Sequence, residues 1–365
     1  MTPNVQAGEV VLPAQPFDET LAFFVDVLGF TLMRISPADD PAAALMQGHG
    51  LRIHLDRRVE AAPGTIRLSC TDPTAIAGGA GELVAPNGTR IELVEADAPV
   101  TVPPVEQSFV LTHLADESSW VVGRAGMRYR DLVPGRQGGR FIASHIHIPD
   151  GGPVPDYVHF HDVRFQLIYC YRGWVKVVYE DQGEPFVLEA GDCVLQPPGI
   201  RHRVLESSAG LEVIEIGCPA EHDTFTDADL VLPTGEVRPN RTFDGQRFVR
   251  HRAAEATWEA WQVDGFEHRD TGIGEATDGL GGLRVVRPTT ASETRPMTHD
   301  GELLLHVVLD GAVTIVHAEG GPEALRPGDS FVIPAGVSYA LAHCSRDLEL
   351  LDVRLPAATS HRSGA

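Results

Sequence analysis

The sequence predicts a mostly-β chain in which two tandem copies of one β-barrel domain follow a small α+β module of βαβββ type. Three observations carry this. Short alternating apolar runs of strand length recur between turn signals, at 141–148, 165–171, 174–179, 211–216 and 303–308. The 37 glycines and 27 prolines interrupt the chain too often for long helices. The central and C-terminal parts repeat each other: Gly126-Met-Arg-Tyr-Arg130-Asp131 returns as Gly265-Phe-Glu-His-Arg269-Asp270, Gly138-Gly139-Arg-Phe as Gly281-Gly282-Leu-Arg, and Gly191-Asp192 with Pro197-Pro-Gly199 as Gly328-Asp329 with Pro334-Ala-Gly336.

The first hundred residues predict a strand from Glu9, then an amphipathic helix, then strands near 51–55, 65–70 and 90–94. In the helix, Phe17, Leu21, Phe24, Val25 and Leu28 fall near a 3.6-residue period, and Gly29 ends it as a left-handed closing residue. Pro86-Asn87-Gly88 is a hairpin turn signal. Residues 96–107 (ADAPVTVPPVEQ) form a proline-rich linker and 232–246 (LPTGEVRPNRTFDGQ) a polar one. They divide the chain into 1–98, 107–230 and 246–357, followed by a short polar tail.

Composition narrows the partners. With 43% hydrophobic and 22% charged residues the chain has a globular balance, and its 365 residues suffice for several cores. The net charge is −22 and Lys176 is the only lysine, so neither nucleic acid nor an anionic membrane is expected as a partner, since both need Lys and Arg on phosphate. No run approaches the ~20 apolar residues of a membrane span. The first nine residues lack the basic and apolar regions of a signal peptide. Cys70, Cys170, Cys193, Cys218 and Cys344 include no CxxC pair and read as reduced thiols of a cytoplasmic protein. Cys170 and Cys193 read as buried and inert.

The chemistry concentrates between His159 and His202. On a strand, residues two apart share a face, so His159 and His161 project together. Gln166 has the opposite parity and needs a bend to join them. The Pro197-Pro-Gly199 turn then brings in His202. Imidazole suits Fe, Mn, Ni, Cu and Zn. Three histidines and a glutamine are thus spaced as four ligands of one ion.

These residues resemble the two signature motifs of the cupin superfamily. The first runs Gly152, His159-Phe-His161, Gln166, Gly173; the second runs Gly191, Pro197-Pro-Gly199, His202. The resemblance covers roughly 107–225 and implies a jelly-roll barrel with one divalent transition metal inside, held by His159, His161, Gln166 and His202. Gln166 stands where the family motif commonly has Glu. Its amide oxygen can coordinate but brings no charge, leaving the ion a stronger Lewis acid and harder to oxidise. The third segment carries Met297, His299, Leu304 and Tyr339 at the matching places, with His306 nearby. The resemblance to two-domain cupins therefore implies one metal per chain, in the first barrel.

Phe23-Phe24-x3-Leu28-Gly29-Phe30 and Pro86-Asn87-Gly88-Thr-Arg-Ile-Glu92-Leu resemble one module of the vicinal-oxygen-chelate (glyoxalase/bleomycin-resistance) superfamily. In that family the last-strand Glu, here Glu92, and a first-strand residue, loosely Glu9, bind metal. A structural or dimerising role is the preferred reading of this module, and a homodimer is a candidate assembly.

Arg140, His145 and His147 read as ordinary sheet-surface residues. Tyr157, Ile168 and Val204 share parity with the ligands and either line the pocket or pack the core. Glu206 shares the parity of His202 and is the candidate catalytic base, with a rim ion pair as the alternative. The leading functional expectation is a metal-dependent dioxygenase, iron preferred, acting on a small enolic or phenolic compound, with no organic cofactor. The alternatives are a non-redox isomerase, cyclase or lyase, and a metal-stabilised small-molecule sensor.

Overall fold

The computed structural model describes residues 5–78, 82–96, 98–123, 126–318, 320–358 and 361–363. The signal-peptide reading rests in part on residues 1–4, which lie outside these. The chain divides into two units, Met1–Pro99 and Val100–Ala365. Among the described residues no helix is long and apolar enough to cross a membrane.

In the N-terminal unit, strand Val10–Pro13 is followed by helix Phe17–Ala22, which continues as a π-helical turn over Phe23–Val27. Strands Thr31–Ser36, Ala43–Gly48 and Leu51–Asp56 complete a βαβββ order. Val10–Pro13 pairs in parallel with Leu51–Asp56, closing a four-stranded sheet. Phe17, Phe24 and Leu28 of the apolar helix face are buried, and Gly29 takes φ 75°. A second, shorter set follows: strand Thr65–Cys70, helix Pro73–Ala77, and strands Glu82–Val84 and Arg90–Glu95. These strands form their own three-stranded sheet, with Thr65–Cys70 and Arg90–Glu95 parallel.

The second unit holds two barrels, each a pair of facing sheets. In the first barrel, one sheet has the order 249–251, 193–195, 165–172, 211–218, 142–148, 128–131, 120–122, and the other has 186–189, 174–179, 202–207, 159–161, 224–226. The second barrel repeats this plan around Leu303–Asp310 and Glu349–Leu355. Part of the polar tail joins it, since His361–Ser363 pairs with Met297–His299.

The two barrels exchange strands across the boundary drawn from sequence. Val110–Thr112 pairs with Ser330–Val332 of the second barrel, and Val249–His251 pairs with Cys193–Leu195 of the first. The repeated Gly-Asp turns anchor these swapped segments. Asp192 Oδ1 accepts from the Ala253 amide at 2.8 Å, and Asp329 Oδ1 accepts from the Leu114 amide at 2.7 Å. Arg130, fully buried, donates to the Gly328 carbonyl, so the repeated arginine also binds one barrel to the other.

The larger sheets pack back to back. Phe165, Leu167, Tyr169 and Tyr171 meet Leu303, Leu305, Val307 and Leu309 in one cluster. The alternate positions turn into the barrels: Ile168 and Cys170 pack with Val175, Val177 and Leu188, while Leu304 and Val308 pack with Ile315 and Phe331. The predicted surface residues of strand Ile142–Ile148 are used differently. His145 is buried, its Nε2 2.6 Å from Glu212 Oε2 and its Nδ1 accepting from Arg130 at 3.2 Å. Burial holds its pKa below the ordinary value, against the hydrogen bond that its Nε2 donates to Glu212. Arg140 Nε donates to Glu302 Oε2 at 2.9 Å. His147 lies beside the Trp120 ring. Cys170 and Cys193 are buried, and burial pushes the Cys170 thiol up to about 12, so it is no thiolate at neutral pH.

The interior of the second barrel carries a closed charge network. Arg354 Nε donates to Asp352 Oδ1 at 2.5 Å and its Nη2 to Oδ2 at 2.8 Å, while His306 Nε2 lies 3.1 Å from Oδ2. All three side chains are almost wholly buried. The guanidinium and the imidazole hold the Asp352 carboxyl well below the usual carboxylate range, overcoming desolvation. Its contribution to stability is therefore full above the unfolded-state pKa near 4 and fades only as the pH falls towards the depressed native value. Arg354→Met is expected to cost about 3–5 kcal/mol in urea unfolding at pH 7, because it strands a buried carboxylate. The loss should shrink as the pH falls towards 4, where the stranded carboxyl can protonate. Arg354→Met combined with Asp352→Leu should recover most of it.

Candidate metal centre

His159 and His161 occupy the short strand His159–His161, and His202 opens the strand His202–Ser207 directly opposite His159. Gly199, with φ 71°, lets the turn before His202 close tightly. The ring centroids of His159 lie 4.3 Å from His202 and 5.2 Å from His161, and those of His161 and His202 are 5.3 Å apart. One ligand nitrogen from each falls within 4.8 Å of the other two. Among the described residues no other three His, Cys, Asp or Glu side chains meet this closely.

Each ring is turned by a bond on its Nδ1. His159 Nδ1 donates to the Tyr157 carbonyl at 2.8 Å, and His202 Nδ1 to the Ile200 carbonyl at 3.0 Å. His161 Nδ1 lies 3.0 Å from Thr224 Oγ1. A proton held on Nδ1 leaves the lone pair on Nε2, the tautomer that a metal requires. The donor set therefore fits a divalent transition ion: three neutral imidazoles, pre-oriented by neighbouring oxygens, converging at one point.

The triad faces a cavity of about 380 Å³ inside the first barrel. Met127, Ile146, Ile168, Val177, Leu188 and Val213 belong to its apolar wall. Tyr179 stacks on His202 at 5.4 Å and 22°. The polar lining consists of Ser144, Gln196, Glu215, His222 and Thr224 beside the triad. Among the described lining residues there is no Lys or Arg.

Not every predicted residue reaches this cavity. The expected bend after His161 is a passage from one sheet to the other, and it puts Gln166 on the strand Phe165–Arg172, buried in the barrel wall. Gln166 is not among the lining residues; its Nε2 donates to Glu215 Oε1 at 2.7 Å. Glu206 does not line the cavity either. The pairing of Trp174–Tyr179 with His202–Ser207 slips by one residue between Lys176 and Val177. The slip flips the parity inherited from His202 and leaves Glu206 opposite Lys176, away from the lining pair Val175 and Val177. The alternating count behind Glu206 as a base is thereby corrected. Ile168 and Val204 line the cavity, whereas Tyr157 is about half exposed and meets His159 edge-on.

Glu215 and His222 were not anticipated. Glu215 had a readable signal: it follows Leu211 and Val213 on one inward parity of the strand Leu211–Cys218, an acid in an apolar stripe. His222 sits in the loop after that strand, where alternation says nothing, with its ring 5.5 Å from His161.

The matching positions in the N-terminal module and in the second barrel form no such cluster among the described residues. Glu9 pairs with Arg52 at 3.0 Å and lies 3.4 Å from His54, whereas Glu92 accepts from Arg67 at 3.0 Å on the other sheet of that unit. In the second barrel His299 uses both nitrogens on the chain, Nε2 donating to the Ile333 carbonyl at 2.7 Å and Nδ1 accepting from the Gly301 amide at 3.1 Å. Met297, Leu304 and Tyr339 around it belong to the apolar core.

A family model described as Cupin domain matches residues 144–217 and again 283–354. Two cupin domains lie in tandem in this chain. Oxalate decarboxylase from Bacillus subtilis at pH 4.6 is similar in fold, at 12% identity, a TM-score of 0.52, and coverage of 72% of this chain and 79% of that one. A second structure of that enzyme, described for its Mn(II) centres, matches at 12% identity and a TM-score of 0.51, covering 72% and 80%. A mutant of salicylate 1,2-dioxygenase from Pseudoaminobacter salicylatoxidans gives 15% identity and a TM-score of 0.48, covering 62% and 74%. No curated protein matches this chain in sequence.

Purified protein is expected to carry close to one equivalent of transition metal by elemental analysis. His161→Ala and His202→Ala should each lower its metal affinity by ~10-fold or more. His299→Ala should leave the metal content near that of the wild type, because its nitrogens already serve the backbone.

Proposed function

We propose that this chain is a metal-dependent cupin enzyme, a dioxygenase acting on a small enolic or phenolic compound. The observation that carries the reading is the pairing of an oriented three-histidine centre with an apolar cavity of about 380 Å³. That volume suits a small ring or chain of roughly drug-fragment size. A small dicarboxylate would bring two charges into a wall without Lys or Arg among its described residues, and burying uncompensated charge is costly. A phenol or enol brings at most one, which the ion can offset, and its carbon body suits Ile146, Ile168, Val177 and Val213.

His159, His161 and His202 would hold the ion, with iron the preferred metal and manganese next. The bound ion would supply open coordination positions and the redox or Lewis-acid chemistry of the reaction. The apolar wall excludes water and orients the carbon skeleton, while Thr224 keeps the His161 ring turned to the centre. Gln196 and Glu215 offer hydrogen bonds to substrate oxygens or their protons. A non-redox isomerase, cyclase or lyase is the second reading, favoured by that same Glu215, a carboxylate inside the cavity able to act as a base.

The N-terminal segment, 1–98, is proposed as a glyoxalase-like module with a structural or dimerising role, preceding cupin domains at 107–230 and 246–357. A cytoplasmic location fits the unpaired cysteines.

The test is a panel of small phenols, hydroxybenzoates and enols offered to protein loaded anaerobically with Fe(II) or Mn(II). Oxygen uptake that depends on substrate and matches product formation is the expected result. Turnover at an equal rate without oxygen, above all with zinc or nickel bound, would replace the dioxygenase by the non-redox reading.

A further inference from the structure

We infer that Glu215, held in place by Gln166, is the anionic group of the metal centre; the inference rests on the metal-dependent reading above. The first motif has an amide where a carboxylate is common, and its residue lies behind the cavity lining. The acid stands one strand away. Gln166 and Glu215 sit on adjacent paired strands, and the Gln166 amide donates to Glu215 Oε1 at 2.7 Å. The two side chains are complementary: a carboxylate at position 166 would meet the Glu215 carboxylate at hydrogen-bond distance, where two like charges do not both ionise. An amide at 166 thus belongs with an acid at 215.

The second barrel supports this independently. In the first barrel Ile168 stands opposite Glu215 and Gln166 opposite Gly217. In the second, His306 stands opposite Asp352 and Leu304 opposite Arg354. Asp352 therefore occupies the place of Glu215, and both barrels keep an inward acid there. In the second barrel the cation is part of the chain: Arg354 grips Asp352 through two hydrogen bonds. At the two places of Arg354 and His306 the first barrel has Gly217 and Ile168, which bring no charge. It has instead three imidazoles able to recruit a cation from solution, and beside Gly217 the side chains of Ile142 and His222 take the space next to the backbone. Each barrel answers one inward acid, wholly buried at Asp352 and partly buried at Glu215, with one cation, a side chain in one case and an ion in the other.

The centre is then not the all-neutral set that Gln166 alone suggests. Glu215 stands outside the 4.8 Å cluster of the three imidazoles but on the same cavity wall, so its carboxylate would lower the net charge of the loaded site by one unit. It would also make a higher oxidation state of the ion easier to reach than neutral ligands would. Gln166 is a positioning residue acting through Glu215.

The test is titration of metal-free protein with Mn(II), reading unbound Mn(II) by its paramagnetic resonance signal and the fold by thermal melting of the metal-free form. Glu215→Gln should weaken Mn(II) binding ~10–100-fold. Gln166→Glu combined with Glu215→Gln, which returns the acid to the neighbouring strand with its amide partner, should recover most of that loss. Glu215→Gln that binds as tightly as wild type overturns the inference. So does a loss that the double variant fails to recover, which would make Glu215 a packing residue. Failure of the metal reading itself has a different signature: His161→Ala and wild type would bind Mn(II) equally weakly.

Discussion

The organisation of the two barrels depends on one packing constraint. Their larger sheets lie back to back, so the central strands Phe165–Arg172 and Leu303–Asp310 are buried on both faces. A strand offers only two faces. In the first barrel, Phe165, Leu167, Tyr169 and Tyr171 are committed to the other barrel, which leaves Gln166, Ile168 and Cys170 for the interior. Strand exchange enforces the arrangement, since Val110–Thr112 and Val249–His251 each complete the partner barrel's sheet. The chemistry of the site has to be written in the remaining parity, on these strands and on the opposing sheet that carries the three histidines.

This explains how far the sequence is legible. The repeat, the short strands and the Gly-Asp and Pro-Gly turns are local signals, and they locate both cupin domains. The His159–His161 pair obeys the simple period of two. Glu206 does not, because one slipped residue in its pairing inverts the face, and a slip of that kind has no mark in the sequence. Gln166 gets the bend its parity requires yet is not among the cavity-lining residues, and its amide is taken up by a neighbour remote in sequence. His145 illustrates the opposite error. An isolated histidine on an alternating strand reads as surface, but here Trp120 and Tyr171 flank its ring and Arg130 and Glu212 complete its bonding. What escapes a single-sequence reading is the contribution of one barrel to the burial of the other.

The paired barrels also make a controlled comparison of how a closed β-barrel carries charge. A carboxylate inside such a wall has to be compensated, because removing it from water costs several kcal/mol. The second barrel meets that cost with Arg354 and His306, and the result is a sealed network in which every ligand position has become apolar or tied to the backbone. A guanidinium on a strand cannot be exchanged, opens no coordination position and leaves no room for a substrate. An ion held by imidazoles can be exchanged, has open coordination positions and leaves room for a substrate. In the second barrel Arg354 thus gives the inward acid a fixed cation, and Met297, Leu304 and Tyr339 stand at the places that match the first barrel's ligand positions.

The same reasoning bears on what the first barrel accepts. Its wall is apolar apart from one acid, the triad and a few neutral hydrogen-bonding groups. On the proposed reading, an ion held by the triad with Glu215 on the same wall leaves little spare positive charge to attract a multiply charged anion. A substrate that gives up one proton on binding stays within that balance, and Glu215 is a nearby acceptor for it. Enols and phenols have this property and also fill an apolar pocket, whereas a small dianion satisfies neither condition. The proposed phenolic or enolic substrate class thus rests on the charge balance inside the barrel, since the fold serves many chemistries.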